Sequence, residues 1–352
     1  MLPIIPNEVF DTADAGRSSQ LGSFELCQDQ QFGFYFNSEY QSVDYDSDKY
    51  QNEQAHSPIF VRHLKVVAQE IVSRFGQSSS VVEVGCGKGY FIGMLSDLGF
   101  SNLRGFDKSY QDDDPRIVKH YLTTSDMPLE ADVLVLRHVL EHVPKPLEFL
   151  DELARINGKS CSFVIEVPST DWIIENSTFW DFTYEHVNYF TSESFRQMFD
   201  YCEVLEKFYG QYLLAFCSSE SLNHRTNYQS QNSAVLNEMI IKFSENSLFD
   251  FAHKHLGRYW IWGATKGIMS LYHLSRFRNG AARLPEGVVD INPAKQNKYS
   301  AGTGIQIFSP ESFLSLLKDD DKIFVANPAY EVEVSKFIEV ASSKKVTIEM
   351  MS

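Results

Sequence analysis

Residues 81–92 read VVEVGCGKGYFI and are the most informative stretch of the chain. Gly85, Gly87 and Gly89 alternate with other residues directly after the apolar run VVEV. A glycine-rich turn between a buried strand and a helix lets the backbone approach a bound ligand closely. The pattern therefore predicts a strand, a bare ligand-binding turn and a helix.

Apolar runs and helical patterns alternate around this turn. A helix is predicted from Ser57-Pro58, since proline fits a first helical position, to about Gly76. LRGFD, ADVLVLR and CSFVIEVP read as further buried strands, PLEFLDELARI as a helix, and FGFYF (32–36) as a strand nearer the start. Buried strands separated by helices imply a parallel sheet covered on both faces.

A polar stretch, SSESLNHRTNYQSQNS (218–233), is the best linker candidate. A helical run over about 234–256 and a second alternating series follow, with YWIWG, GVVDIN, KIFVAN and KVTIEM as strands. Its predicted helices are a segment near 266–278, FSPESFLSLL and EVEVSKFIEVA. We expect an N-terminal region over 1–57, an α/β domain over 58–220 and a smaller α/β domain over 221–352.

Charge and composition argue against several classes of protein. The formal net charge of −16 argues against a nucleic-acid binder, which needs a basic face. Ten acidic and two basic residues among residues 1–57 supply −8 of that charge, which indicates a solvated segment. The five cysteines are widely spaced and predict no disulfide framework. No stretch approaches 18 apolar residues and the start lacks a leader pattern, so we expect a cytoplasmic protein with no membrane partner.

The glycine spacing distinguishes between ligands. The dinucleotide fingerprint has a third glycine at its sixth position, where this chain has Tyr90. Asp107 ends the next predicted strand about 20 residues on, where an acidic side chain can accept both hydroxyl hydrogens of a ribose. A nucleoside ligand other than a dinucleotide fits both features.

The stretch resembles the first motif of class I S-adenosylmethionine-dependent methyltransferases, in which an acidic residue precedes G-x-G-x-G, as Glu83 does here. The resemblance implies a Rossmann-like methyltransferase domain whose glycine loop wraps the methionine part of S-adenosylmethionine. It also implies that Asp126 and Met127 lie along the adenine and that Arg137 and His138 lie beside the methionine. The cofactor-binding residues so implied are Glu83, Gly85, Cys86, Gly87, Gly89, Asp107, Lys108, Asp126, Met127, Arg137 and His138.

The sequence also spells H-x-x-E-H at His138, Glu141 and His142, a pattern that binds zinc in some peptidases. Here it follows a buried strand and stops at VPKP, which leaves too little helix to hold both imidazoles on one face. We predict capping and pocket-lining roles for these residues, and no metal.

The stretch ENSTFWDFTYEHVNYFTSESF (175–195) follows the end of another strand and should lie over the same edge as the cofactor. Methyl transfer to a carbon or hydroxyl requires removal of a proton, for which a histidine beside a carboxylate is suited. Tyr184, Glu185 and His186 are the candidate catalytic residues, with His186 as base. The alternative is that Glu185 and His186 only fix a loop.

Nearly the whole chain resembles the sugar C-methyltransferases that act on nucleotide-linked keto sugars. EHVNYFTSESF, WGATKG and VVDINPAKQNKYSAGTGIQIFSPE carry the likeness. The resemblance implies a C-terminal Rossmann-like domain, a nucleotide-linked sugar substrate, proton removal by Glu185 and His186, and attack of the enolate on the methyl group. Tyr50, Tyr189 and Lys266 are the candidate substrate-binding residues. Tyr50 matches a region where that family has tyrosines near cofactor and substrate. In WGATKG, Lys266 is the candidate cation for phosphates at a helix N-terminus, and Tyr189 belongs to a group of aromatics that could stack a base or sugar. Packing and scaffold roles are the alternatives for all three.

This chain departs from that family at two places. Thr183-Tyr184-Glu185-His186 stands where the family has Tyr-His-Glu-His, so the reaction type could differ. The family's N-terminal part binds structural zinc through paired C-x-x-C motifs, but here Cys27 has Gln30 in place of its partner and the first motif is absent. One thiol cannot make a tetrahedral site, so we predict no zinc.

The expected function is therefore methyl transfer from S-adenosylmethionine to a sugar-like small molecule. C-methylation is the first hypothesis, and O-methylation of a sugar hydroxyl by the same base is the second. A nicotinamide-dependent oxidoreductase and a non-catalytic cofactor-binding scaffold are alternatives from other classes.

Overall fold

A computed structural model describes residues 1–43, 50, 51, 53, 55–226, 229–234, 236–240, 257–277 and 283–351, with the backbone alone for 272–277. Of the helical run predicted over 234–256, residues 236–240 are helical and 241–256 lie outside the described residues. Residue 278, at the end of the next predicted helix, also lies outside them.

The N-terminal region consists of short elements: β1 Leu2–Pro3, β2 Val9–Phe10, α1 Ala13–Arg17, β3 Leu21–Gly22, β4 Leu26–Asp29 and β5 Tyr35–Asn37. The strand predicted over 32–36 begins only at Tyr35. The reason is a tight turn, in which Oδ1 of Asp29 accepts hydrogen bonds from the backbone amides of Gln31 and Phe32, and Gly33 has a φ of 74°.

Up to residue 168 the central region follows the predicted order of strands and helices, whereas its later elements were not predicted. Its elements are α2 Pro58–Phe75, β6 Val81–Val84, α3 Tyr90–Asp97, β7 Leu103–Phe106, β8 Ile117–Val118, β9 Val133–Arg137, α4 Pro146–Asn157, β10 Ser162–Pro168, α5 Thr170–Glu175, β11 Asn188–Tyr189, α6 Ser192–Met198, β12 Cys202–Lys207 and β13 Tyr212–Ser218. The Ser57 hydroxyl accepts from the Phe60 amide and Pro58 occupies the first turn, so α2 begins where predicted.

One seven-stranded sheet organises this region, in the order β12-β13-β10-β9-β6-β7-β8. The strands from β10 to β8 are parallel, and β13 pairs antiparallel to both β10 and β12. Apolar residues pack against both faces of the sheet. The chain order reverses between β6 and β9, and ligands of open α/β sheets bind at the carboxyl ends of the strands beside such a reversal.

The C-terminal region contains β14 Ser230–Asn232, β15 Tyr259–Trp262, α7 Ala264–Phe277, β16 Val288–Val289, β17 Tyr299–Ser300, β18 Ile307–Phe308, α8 Pro310–Leu316, β19 Lys322–Val325, α9 Glu331–Ala341 and β20 Thr347–Met350. A smaller parallel sheet runs β18-β16-β15-β19-β20. The structure therefore has the predicted α/β class, with a large and a smaller sheet.

The N-terminal region packs against both sheet regions. β2 pairs with β17 of the C-terminal region, and β5 pairs with β11 of the central region. The end of the predicted linker is a strand, because β14 pairs antiparallel with β4. The first 40 residues therefore join the two larger regions.

Among the described residues, no helix combines the length and the apolar character that crossing a membrane requires.

Candidate functional site

The glycine turn lies between β6 and α3, at the carboxyl edge beside the strand reversal. Gly85 and Gly87 have φ angles of 74° and 54°, which side chains rarely adopt. A Cβ atom added at Gly85 would lie 2.5 Å from Cγ2 of Val139, whereas one at Gly87 would meet nothing within 4 Å. Gly85 is therefore required for packing, and Gly87 leaves open space.

Asp107 follows β7 and is tied to this turn. Its Oδ2 accepts a hydrogen bond from the Gly87 amide at 2.8 Å, and its Oδ1 accepts from the Ser109 amide at 2.8 Å. Oδ1 also accepts from the Ser109 hydroxyl at 2.6 Å. The carboxylate is thereby fixed beside the glycine loop, and Oδ2 retains acceptor capacity. The structure thus brings together the loop and the acidic residue that the sequence predicted for one nucleoside.

Glu83 is a buried carboxyl on β6, 2% exposed, directly before the glycine turn. Burial raises the pKa of Glu83 to about 7, against the opposing effect of the nearby Arg137. Its Oε2 has no hydrogen-bond partner among the described residues. A buried carboxylate oxygen without a partner is costly, and a cationic group of a ligand would satisfy it.

Arg137 ends β9 and pairs with a buried acidic side chain. Its Nε donates to Oε2 of the buried Glu166 at 2.7 Å, and its guanidinium lies 4.5 Å from the centre of the Phe91 ring. The other oxygen of Glu166 pairs with Nε2 of His63 on α2. Burial would raise the pKa of Glu166, but Arg137 and His63 hold it well below its ordinary value. Glu166 and His63 therefore fix Arg137 at this edge.

The other predicted cofactor residues lie around the same edge in different settings. Cys86 is buried in the core, and burial raises the pKa of its thiol. Nζ of Lys108 lies 5.6 Å from the centre of the Tyr121 ring. Asp126 forms a capping box with Thr123, and the Met127 side chain is exposed.

His138 follows Arg137 and connects this edge to a cavity. Its φ of 53° is unfavourable for a residue with a side chain, and such strain is common at functional sites. Its backbone amide donates to the Glu166 carbonyl at 2.8 Å, and its Nδ1 lies 3.3 Å from Oε1 of Glu141. The imidazole lies edge-on to Tyr212 and lines the cavity.

The cavity has a volume of about 240 Å³ and lies between the central and C-terminal regions. The first 57 residues contribute Asn7, Glu53, His56 and Ser57, and the central region contributes His138, Glu141, His142, Asp181, Glu185 and His186 among others. The C-terminal region adds residues 262–266 and residues 290–292, together with Lys295. Polar side chains from three regions therefore surround one space of small-molecule size.

Three of these side chains form a tight cluster. Glu141, His142 and His186 each offer an oxygen or nitrogen atom that could bind a metal, and these atoms lie within 4.8 Å of one another. The rings of His142 and His186 lie edge to face, with centroids 4.9 Å apart. Among the described residues, this is the group whose atoms are close enough together to hold a metal. Our expectation that no metal binds stays a prediction.

Burial shifts the pKa values of two members of this cluster, Glu141 and His186, and of the adjacent Glu185. Burial lowers the pKa of His186 to about 3, and the nearby His142 adds to the effect, so the imidazole is neutral at physiological pH. Burial raises the pKa of Glu185, although His142 and the hydrogen bond from Asn7 oppose it. Burial would also raise the pKa of Glu141, but a hydrogen bond from His138 brings it below its ordinary value.

The cations of the cavity are Lys266 and Lys295. Nζ of Lys266 lies 2.9 Å from Oδ1 and 3.0 Å from Oδ2 of Asp181, so its charge is already paired. The first amide of α7, at Ala264, donates to Oδ2 of Asp290. The predicted phosphate contact at this helix start would have to compete with both carboxylates.

The structure brings Glu185 and His186 to the cavity but not the three predicted tyrosines. Tyr184 is buried, its ring stacks on Tyr40, and its hydroxyl accepts from the Gln41 amide at 2.8 Å. The Tyr189 hydroxyl accepts from the Thr183 amide at 3.0 Å. Tyr50 forms a β-bridge with Glu8. Among the described residues, the cavity lining includes none of these tyrosines.

Comparison with known proteins agrees with this geometry. Residues 60–201 match a family model described as a methyltransferase domain. This segment is similar to methyltransferase domains. It has the Rossmann-like class I fold, and the chain is an enzyme that uses S-adenosylmethionine. The search of curated proteins found no match.

Solved structures of methyltransferases are similar to part of the chain at low identity. A plantazolicin methyltransferase is 13% identical, with 48% of this chain and 86% of that chain covered and a TM-score of 0.36. The 1,6-didemethyltoxoflavin-N1-methyltransferase of Burkholderia thailandensis is 12% identical, with 53% and 95% covered and a TM-score of 0.33. A possible histamine N-methyltransferase of Thermotoga maritima is 15% identical, with 45% and 90% covered and a TM-score of 0.32.

The methyltransferase's own residues fit the cofactor. The partnerless Oε2 of buried Glu83 suits the ammonium group of S-adenosylmethionine, and the open space at Gly87 admits its chain. Asp107 is anchored where a ribose would lie. Cys27, in the region predicted to lack zinc, is a free thiol on β4, and that expectation also stays a prediction.

Sequence reasoning missed several residues of the cavity. His142 and Glu141 were noticed only as part of H-x-x-E-H and assigned to capping and lining, although they cluster with His186. Asn7 and Lys295 were not singled out, and both line the cavity. The H-x-x-E-H spacing was the available signal for the first two, and VVDINPAKQNKYSAGTGIQIFSPE contains Lys295. No local pattern marks Asn7.

Proposed function

We propose that the methyltransferase transfers a methyl group to a carbon next to the keto group of a sugar-like, nucleotide-linked small molecule, with His186 as base. The observation that supports this most directly is a continuous path from the cofactor edge to the cavity. Arg137 ends β9 beside the glycine turn, and His138 follows it. His138 contacts Glu141, and Glu141 clusters with His186.

The cavity supports a small acceptor. A volume of about 240 Å³ is slightly below that of typical drug-sized ligand pockets and suits a sugar ring. Its walls combine acidic, basic and imidazole groups with Trp172, Trp180 and Trp262, which suits a molecule with polar edges and apolar faces. The resemblance of EHVNYFTSESF and the C-terminal motif to sugar C-methyltransferases supports the keto-sugar class.

The electrostatics support proton removal beside a carbonyl. The low pKa of His186 keeps its imidazole unprotonated and able to accept a proton, although as a weak base. The positive charge of Lys266, which disfavours an imidazolium on His186, would stabilise negative charge developing on a substrate oxygen in the same space. Glu141 opposes this charge and favours the imidazolium once the proton has moved.

S-adenosylmethionine supplies the electrophilic methyl group when it is bound. The chain holds the acceptor between its regions, orients it toward the glycine edge, and surrounds it with buried side chains that exclude water. His186 takes the proton from the carbon that receives the methyl group. Alignment of the reacting atoms and a positioned base account for the rate enhancement that these residues can provide.

The test uses ¹³C-methyl-labelled cofactor with a panel of nucleotide-linked keto sugars and NMR of the product. We expect a carbon-bound methyl signal, whereas an oxygen-bound methyl would support the hydroxyl alternative. The variant His186→Ala should bind S-adenosylhomocysteine as the parent does and lose at least about 10²-fold in turnover. His224→Ala, an exposed histidine outside the cavity, is the matched control. Unchanged turnover in His186→Ala would overturn the assigned base.

A further inference from the structure

Asn7 lies in the turn between β1 and β2, far in sequence from the other groups of the cavity. Its side chain is 7% exposed and lines the cavity. Its backbone carbonyl accepts a hydrogen bond from the Gln51 amide at 3.1 Å. The N-terminal region therefore places one buried amide side chain in the proposed acceptor site.

The orientation of that amide is fixed by two donors from the C-terminal region. Oδ1 of Asn7 accepts from Oγ1 of Thr265 at 2.6 Å and from Nζ of Lys295 at 2.9 Å. Lysine can only donate, so a flipped amide would place its NH₂ group against an ammonium. The Nδ2 atom must therefore point the other way, and it donates to Oε1 of Glu185 at 3.1 Å.

We propose that Asn7 is a positioning residue for the Glu185 carboxylate and that Lys295 and Thr265 hold it in that role. This inference rests on the proposed function, in which Glu185 lies next to the base His186. Asn7 joins the three regions of the chain at one point, so the catalytic carboxylate takes its position only when the C-terminal region is docked.

The hydrogen bond has a defined electrostatic effect. A donor to the charged form of a carboxyl favours ionisation and so opposes the effect of burial on Glu185. The other charged groups that act on Glu185 are His142 and Lys295, which favour ionisation, and Glu141, which disfavours it. Removal of the amide should therefore raise the pKa of Glu185, and a carboxylate in its place should raise it further.

The primary test requires no acceptor substrate. The protein is labelled with ¹³C at glutamate carboxyl carbons and titrated by NMR, with Glu185→Gln to assign the signal. We expect the titration midpoint of Glu185 to rise from the parent to Asn7→Ala and again to Asn7→Asp. Asn223→Ala removes an amide that donates to the Gln197 carbonyl at 3.0 Å outside the cavity, and it is the matched control.

Thr265→Val tests the contribution of the C-terminal region without changing a charge. We expect a smaller upward shift of the Glu185 midpoint in the single variant and a still smaller shift when it is added to Asn7→Ala. The hydroxyl acts on Glu185 through Asn7 and also accepts from Nζ of Lys295 at 2.9 Å, so the two effects should add only in part. Equal shifts in both backgrounds would overturn the assignment of Thr265.

Turnover and cofactor binding separate this inference from the proposed function. Asn7→Ala should lower kcat at least about tenfold, move the acid limb of the pH profile upward, and leave the dissociation constant of S-adenosylhomocysteine unchanged. An unmoved Glu185 midpoint in a folded Asn7→Ala variant would overturn the positioning role. If the parent methylates none of the keto sugars, the proposed substrate is overturned. The NMR titration of Glu185 would still test the role of Asn7.

Discussion

Nδ1 of His142 lies 2.9 Å from the backbone carbonyl oxygen of Glu185. A carbonyl only accepts hydrogen bonds, so Nδ1 carries the proton and the neutral ring has its lone pair on Nε2. The contact joins the segment after β9 to the segment that carries His186.

Two substitutions of His142 separate its hydrogen bond from its volume. An asparagine amide can replace the Nδ1 donor, whereas a leucine replaces only the volume. We expect His142→Asn to unfold at a temperature close to that of the parent and His142→Leu to lose about 1–3 kcal/mol, because the buried carbonyl loses its donor. Both should lose turnover, since both remove the ring that packs edge to face against His186.

Thermal unfolding and turnover measured on the same preparations check this prediction. His224→Ala, at an exposed position, serves as the control for loss of a histidine. Equal stability of the asparagine and leucine variants would show that the hydrogen bond to Glu185 contributes nothing to the fold.

Gly85 and Gly87 should respond differently to the same substitution. Both alanine variants pay about 1–2 kcal/mol for a side chain at positive φ. Gly85→Ala also forces a Cβ to within 2.5 Å of Val139, so it should cost about 1–3 kcal/mol more in the free energy of unfolding. Gly87→Ala points its methyl into open space, and it should mainly weaken cofactor binding.

Chemical denaturation and calorimetry with S-adenosylhomocysteine check the contrast. We expect Gly85→Ala to lower the free energy of unfolding more than Gly87→Ala does. We expect Gly87→Ala to raise the dissociation constant of S-adenosylhomocysteine although it destabilises the fold less. The reverse pattern would show that the open space at Gly87 does not face the cofactor.

The sequence predicted those parts of the site that depend on local patterns. The glycine turn and Asp107 follow successive strands, and neighbouring parallel strands bring them together, as the bond between Gly87 and Asp107 shows. Asn7 and Glu185 are 178 residues apart, and only the packing of three regions joins them. Tyr184 was grouped with Glu185 and His186 because it is adjacent in sequence, but its ring stacks on Tyr40 instead.

Cofactor affinity should depend on pH through Glu83. Its raised pKa of about 7 means that the carboxyl ionises as the pH rises through neutrality. The ionised form pairs with an ammonium group, so S-adenosylhomocysteine should bind more tightly as the pH rises from about 6 to about 8, by at most about tenfold per pH unit. Binding near neutral pH should release a proton.

Calorimetry in buffers of different ionisation enthalpy measures that proton directly. Glu83→Gln should bind S-adenosylhomocysteine more weakly and release no proton from this site. Any proton release that remains in this variant comes from titration of the ligand itself. A parent protein whose affinity follows the same pH dependence as Glu83→Gln would remove Glu83 from the ammonium site.

Methyl transfer should not require a metal, even though Glu141, His142 and His186 lie close together. Zinc ligands lie about 2.0–2.2 Å from the ion, so the cluster, whose atoms are within 4.8 Å of one another, would have to close around it. Zinc would also occupy the lone pair with which His186 accepts a proton. We therefore expect turnover to survive prolonged treatment with a chelator, and we expect added Zn²⁺ to inhibit turnover.

Elemental analysis of the purified protein measures the metal content, with His142→Asn as the variant that lacks one ligand. One equivalent of zinc in the parent, lost together with activity on chelation, would replace the proposed base with a metal centre.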